Sequence, residues 1–131
     1  MEYEPIPEYL DKIGKEIVDA AYCVHKSLGP GLLECVYEEC MIYELRKRGY
    51  LVNNQCEVPI EYDGQIIESS RLRLDLLVER EVIIELKAVE TMNPLYKAQL
   101  MTYLRLSKLR LGYLINFNVP LIKEGIKRIV M

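Results

Sequence analysis

Two apolar runs separated by three charged residues constrain this chain more than anything else in it. Leu72-Arg73-Leu74-Asp75-Leu76-Leu77-Val78 leads into Glu79-Arg80-Glu81 and then Val82-Ile83-Ile84-Glu85-Leu86-Lys87-Ala88. Runs of this length and composition read as two strands joined by a hairpin. Side chains alternate across a strand, so Asp75 shares a face with Arg71, Arg73 and Leu77, and Leu72, Leu74, Leu76 and Val78 line the other. In the second run Glu85 and Lys87 share a face with Ile83, opposite Val82, Ile84, Leu86 and Ala88. A three-residue loop pairs Val78 with Val82 and sets Asp75 across from Glu85, with Cβ atoms about 5 Å apart. A two-residue loop would shift the register by one and place the acids on opposite faces.

A strand core seldom carries a carboxylate, because an unpaired buried charge is costly. Two facing carboxylates repel each other unless a cation bridges them. Asp75, Glu85 and the Leu86 carbonyl offer hard oxygen donors of the kind that Mg²⁺ or Mn²⁺ takes. Lys87, on the same face as Glu85, is placed to orient or activate water and to steady developing negative charge. The chemistry this spacing suggests is metal-dependent hydrolysis of a phosphodiester. A competing reading makes Glu85 and Lys87 the solvated face of an edge strand. Another has Asp75 and Glu85 neutralised by Arg71 or Arg73 with no metal. The apolar neighbours of Glu85 favour a central strand covered on both sides.

The chain has 131 residues, enough for one core, and half of them are hydrophobic. We expect residues 1–7 to form a flexible lead-in and residues 8–131 to form one domain. No apolar run is long enough to cross a bilayer, and Glu2, Glu4 and Glu8 make the N-terminus acidic rather than a basic signal, so a cytoplasmic location is expected. Cys23, Cys35, Cys40 and Cys56 follow no Cys-x-x-Cys spacing and read as buried free thiols. The net charge of −3 counts against nonspecific gripping of nucleic acid, which normally needs a basic surface. A short chain with a one-sided sheet is compatible with a homodimer.

Around the hairpin the periodicities alternate. Leu10, Ile13, Ile17, Ala20, Ala21, Val24 and Leu28 recur at three and four, predicting an amphipathic helix from Glu8 to Leu28 that ends at Gly29-Pro30-Gly31. A second helix is expected from Leu32 to Arg48, with Leu33, Val36, Tyr37, Cys40 and Met41 on its stripe and Gly49 as its cap. Leu51 to Tyr62 reads as extended, with Pro59 pointing to an edge, and Asp63-Gly64 is a hairpin signal. Asn93 and Pro94 open a helix to Leu106, Leu111 to Phe117 reads as a buried strand, and Ile126 to Val130 as a short final one. The order is mixed α/β around one sheet.

Gln99 and Tyr103 lie four apart on the third helix and can line a site together. Glu34, in the first turn of the second helix, is favoured there by the helix dipole alone, and His25 suits the carbonyls of a helix end. Tyr22, Tyr37, Tyr43 and Tyr50 are expected to pack rather than to bind bases.

The run Val24 to Glu38, with Gly31-x-x-Glu34-x-x-Tyr37, resembles the hallmark of the GxxExxY proteins of the PD-(D/E)xK nuclease superfamily. The likeness continues through Glu44–Gly49, Asp75–Val78, Ile84–Ala88, Gln99-Leu100-x-x-Tyr103-Leu104 and Gly112–Phe117, covering about residues 10 to 130. It implies a restriction-endonuclease-like α/β core: a mixed central sheet flanked by helices, with two helices at the N-terminus. By that resemblance Asp75, Glu85 and Lys87 match the catalytic acids and lysine, Gln99 and Tyr103 match a catalytic Gln-x-x-x-Tyr, and Glu34 joins Asp75 and Glu85 as a metal ligand. Leu74 stands where the superfamily motif has its proline, while the acids and the lysine are intact. The implied activity is Mg²⁺- or Mn²⁺-dependent cleavage of nucleic acid, DNA in preference to RNA. The alternative is a non-cleaving nucleic-acid-binding or partner subunit on the same fold.

Overall fold

A computed structural model describes residues 4–131. Part of the expected lead-in, residues 1–3, lies outside the described residues. Glu4 to Pro7 carry no regular structure, and the Arg110 guanidinium donates to the carbonyls of Glu4 and Pro5.

Helix α1 spans Glu8–Leu28, and its three-and-four apolar stripe goes under as far as Val24. Leu28, expected on that stripe, is exposed at the last turn. Helix α2 spans Glu34–Lys47 and buries Tyr37, Met41 and Leu45. Leu33 was expected on this stripe but is the extended N-cap residue, 73% exposed, because the helix begins one residue after it. At the other end Gly49 takes φ 91, its N–H donates to the Arg46 carbonyl and the Tyr50 N–H donates to Leu45. That paired closure is the Schellman motif, which needs a residue at ease in left-handed backbone.

Five strands form one sheet in the order β1 (Val52–Tyr62), β2 (Gln65–Val78), β3 (Val82–Lys87), β4 (Leu111–Asn116), β5 (Ile126–Val130). The first three make an antiparallel meander with β1 at the edge, where Pro59 leaves no central ladder bond unmade. β3 and β4 run parallel, which requires a crossover, and α3 (Pro94–Ser107) supplies it. β5 returns antiparallel to β4 as the other edge. Helices α1 and α2 cover one face of the sheet over Leu76, Val78, Ile84, Leu86 and Ile115. Helix α3 covers the other with Leu100 and Leu104 against Leu77, Ile83 and Leu114. The third layer explains why β3 is buried from Val82 to Leu86.

Three expectations are corrected. Leu74 does not face the same way as Leu76 and Val78 but packs with Leu77 and Ile83 on the α3 side. The alternation fails across Asp75, beside Gln55, whose φ of 49 interrupts the pairing of β1 with β2 between Asn54 and Cys56. Cys23 and Cys35 are free but exposed, since both lie off the buried helix stripes, and Cys23 Sγ accepts a 3.3 Å bond from Arg48. Tyr22 and Tyr43 are likewise exposed for the same reason, whereas Tyr37 is fully buried. Among the described residues no helix is long and apolar enough to cross a membrane.

Between β4 and β5 the chain turns through a short 3₁₀ helix, Ile122–Gly125. A β-carbon at Gly125 would run into the carbonyl oxygen of Asn116, a backbone atom that cannot swing aside. Gly125→Ala should therefore cost about 2 kcal/mol or more, measured as a lower urea midpoint at unchanged slope.

Candidate active site

The hairpin takes the register of the three-residue loop, with Val78 opposite Val82, Leu77 opposite Ile83 and Leu76 opposite Ile84. Glu79 and Arg80 adopt left-handed backbone, φ 51 and 58, and the Glu81 N–H donates to the Val78 carbonyl at 3.0 Å. Two such residues match the twist of the strands they join. Glu79 braces the turn against the start of β1: its N–H donates to the Leu51 carbonyl and its carboxylate accepts from the Leu51 N–H at 2.6 Å.

One step beyond Leu76, side chains take over from the ladder. The Asp75 N–H donates to Glu85 Oε1 at 3.2 Å, and the Leu86 N–H donates to Asp75 Oδ2 at 2.9 Å. The two acids thus meet where β2 and β3 part, each held by a backbone amide of the opposite strand. Glu85 is only 6% exposed. Burial, then the charge of Asp75, pushes its carboxyl up to about 8, against the opposing pull of the Asp75 amide and the Lys87 charge. Among the described residues neither acid forms an ion pair, and Arg73 turns instead to Glu57 at 3.6 Å. The neutralising-arginine reading finds no support in that arrangement.

Glu34 approaches from α2, near enough to feel the charges of Asp75 and Lys87. Its carboxyl is raised by burial and then by the charge of Asp75, while Lys87 lowers it. Its position depends on Tyr37, whose hydroxyl donates to the Gly29 carbonyl at 2.6 Å and accepts from the Leu32 N–H at 3.1 Å. The Tyr37 ring stacks on Phe117, with centroids 4.6 Å apart. A core tyrosine therefore pins the Gly29-Pro30-Gly31 turn from which Glu34 enters the helix, with Gly31 at φ 97. One turn on, Glu38 accepts from the Gln55 amide at 2.9 Å, tying α2 to the interruption in β1.

From α3, Tyr103 is half-buried, and burial followed by the charges of Glu85 and Asp75 raises its hydroxyl while Gln99 opposes the rise. Gln99 itself is exposed. Asn93 Oδ1 accepts from the Leu95 N–H at 2.9 Å and so caps the helix that carries them, as its sequence predicts. Lys87 is half-buried, its Nζ 4.3 Å from the centre of the Tyr96 ring. His25 lies buried, its Nε2 donating to the Val119 carbonyl at 2.8 Å, a structural bond to the loop after β4.

Two neighbours of the cluster lay outside the sequence reading. Tyr96 precedes Gln99 by three residues and Tyr103 by seven, so helical spacing could have placed it on their face. Asn116, buried at the end of β4, clamps the chain beyond Lys87: Oδ1 accepts from the Val89 N–H at 3.1 Å, and Nδ2 donates to the Val89 carbonyl at 3.0 Å. An asparagine closing an otherwise apolar strand was its only signal.

The donor set can be tested against a divalent ion. Among the described residues no three His, Cys, Asp or Glu side chains gather closely enough to form a cage. Asp75 and Glu85 do form a close pair with no ion-pair partner among the described residues, and burial followed by the charge of Asp75 disfavours ionisation of Glu85. Mg²⁺ usually binds through one or two carboxylates with waters and substrate phosphates rather than in an all-protein cage. The residues present fit such an ion.

Two acids meet at the mouth of a hairpin on a mixed α/β sheet, with a lysine two residues on and a helix across the opening. The family model of the PD-(D/E)XK nuclease superfamily matches residues 11–129, and the chain belongs to that superfamily. Among the described residues, three α-helices and a five-stranded mixed sheet agree with its restriction-endonuclease-like fold. No curated protein and no solved structure matches the chain.

Proposed function

We propose that this protein is a metal-dependent nuclease of the GxxExxY group that hydrolyses phosphodiester bonds in DNA. The observation that carries the reading is the pairing of half-buried Asp75 with buried Glu85, free of ion-pair partners among the described residues and followed by half-buried Lys87. Asp75 and Glu85, with Glu34 from α2, are the residues that would hold Mg²⁺ or Mn²⁺. When bound, such an ion supplies Lewis-acid polarisation and makes water a stronger nucleophile near neutral pH. Lys87 orients the attacking water and offers positive charge to the phosphoryl oxygens as negative charge builds on them. Gln99 and Tyr103 line the site from α3 and help seat the substrate.

The test is cleavage of labelled single-stranded, duplex, flapped and branched DNA, and of RNA, in Mg²⁺ or Mn²⁺, beside Lys87→Ala. Metal-dependent cleavage by the parent and none by the variant is the expected result. Equal cutting by both would overturn the site assignment. A second reading, a non-cleaving nucleic-acid-binding or partner subunit, draws on the net charge of −3. A strong metal-independent gel shift with no cleavage of any substrate would favour it.

A further inference from the structure

Lys87 carries its charge on a long, freely rotating stem, so something must confine the ammonium if it is to act at one place. Its backbone is fixed. The Phe117 N–H donates to the Lys87 carbonyl at 2.9 Å, Lys87 pairs with Asn116 across the parallel strands, and Asn116 clamps Val89 just beyond. Its side chain enters no ion pair among the described residues. What the ammonium meets is the face of Tyr96, 4.3 Å from the ring centre. That ring is anchored as well. The Tyr96 N–H donates to the Asn93 carbonyl at 2.9 Å in the first turn of α3, and the side chain packs against the cluster of Leu74, Ile83 and Leu100. An aromatic face attracts a cation through its quadrupole, most strongly where water is partly excluded.

We propose that Tyr96 is the positioning residue for Lys87, holding its ammonium at the mouth of the hairpin beside the two acids. The role rests on the nuclease reading above, but the contact can be tested without it. Tyr96→Phe keeps the aromatic face; Tyr96→Leu and Tyr96→Met remove it while filling the space. In the full-length protein the Hε–Cε signal of Lys87, assigned by its loss in Lys87→Arg, should lie upfield of the other lysines through the ring current. It should stay there in Tyr96→Phe and return to the ordinary lysine position in Tyr96→Leu and Tyr96→Met, with the rest of the spectrum in place. An ordinary Lys87 signal in the parent, or one unmoved by losing the ring, would overturn the proposal whether or not the protein cleaves.

On a substrate the parent cuts, the aliphatic variants should lose about tenfold in kcat with little change in KM, and Tyr96→Phe should restore most of it. A rise in KM at unchanged kcat would make Tyr96 a surface for stacking bases and overturn the positioning role. An unchanged kcat and KM would overturn it too. If the parent cuts nothing, the nuclease reading fails and the catalytic role of Tyr96 with it, while the NMR arm still decides the contact.

Discussion

Asp75→Asn is expected to lower cleavage about a thousandfold, the scale of losing a principal electrostatic group from an active site, while raising the stability of the fold at pH 8. The two effects have one cause. Asp75 faces buried Glu85, and its charge disfavours the ionised form of that carboxyl. Asparagine keeps an oxygen to accept from the Leu86 N–H but removes the charge, so the hairpin retains its closure and loses its repulsion. The gain should be on the order of 1 kcal/mol, read as a higher urea midpoint. Lys87→Ala should abolish cleavage as well but without any gain, because it removes the cation that lowers both Glu85 and Glu34. Sites built for function commonly sit at the expense of stability in this way. If Asp75→Asn unfolds more readily than the parent, the acid pair is a structural device rather than a strained one.

The second large effect is on the dependence of stability on pH. The Glu85 carboxyl moves from its ordinary 4.5 up to about 8 in the fold, chiefly through burial and then through Asp75. The folded protein therefore holds this proton more tightly than the unfolded chain does. The resulting stabilisation is fully present below pH 4.5 and is lost as the pH rises to about 8, an effect on the order of a few kcal/mol. Glu34 shifts in the same direction and adds to the slope. Urea midpoints at pH 5, 7 and 9 should fall steadily for the parent and more shallowly for Glu85→Gln. Parallel curves for the two proteins would show that Glu85 does not titrate in this range. Mg²⁺ or Mn²⁺ should restore stability at pH 8 and do little at pH 5, because the ion competes with the proton for the same carboxylates. A melting temperature indifferent to both ions at pH 8 would count against the metal assignment.

How far the site was legible depended on the range of each interaction. The facing of Asp75 and Glu85 follows from strand alternation and a loop of three charged residues, all local, and the pairing of Val78 with Val82 agrees with it. Helix α1 begins where its periodicity predicts, and α3 begins at Pro94 because Asn93 and Pro94 act within one turn. The reading failed at two leucines. Leu74 packs on the α3 side, next to the point where Gln55 on the neighbouring strand leaves the extended conformation. Leu33 fell outside α2, exposed, where the stripe alone had placed it inside.

The sequence by itself therefore determined the helices and the hairpin, and the confrontation of two acids beside a lysine followed once the loop took three residues. Periods of two and 3.6 residues and the lengths of loops settle such features before any packing occurs. Only the tertiary structure set Tyr96 against Lys87 and carried Glu34 and Tyr103 to where the charge of Asp75 is felt. Their approach follows from α2 and α3 docking on opposite faces of the sheet. It also depends on Asn116 reaching across 27 residues to hold the chain behind Lys87. No local pattern encodes such meetings, because they are set by burial of apolar surface over the whole core.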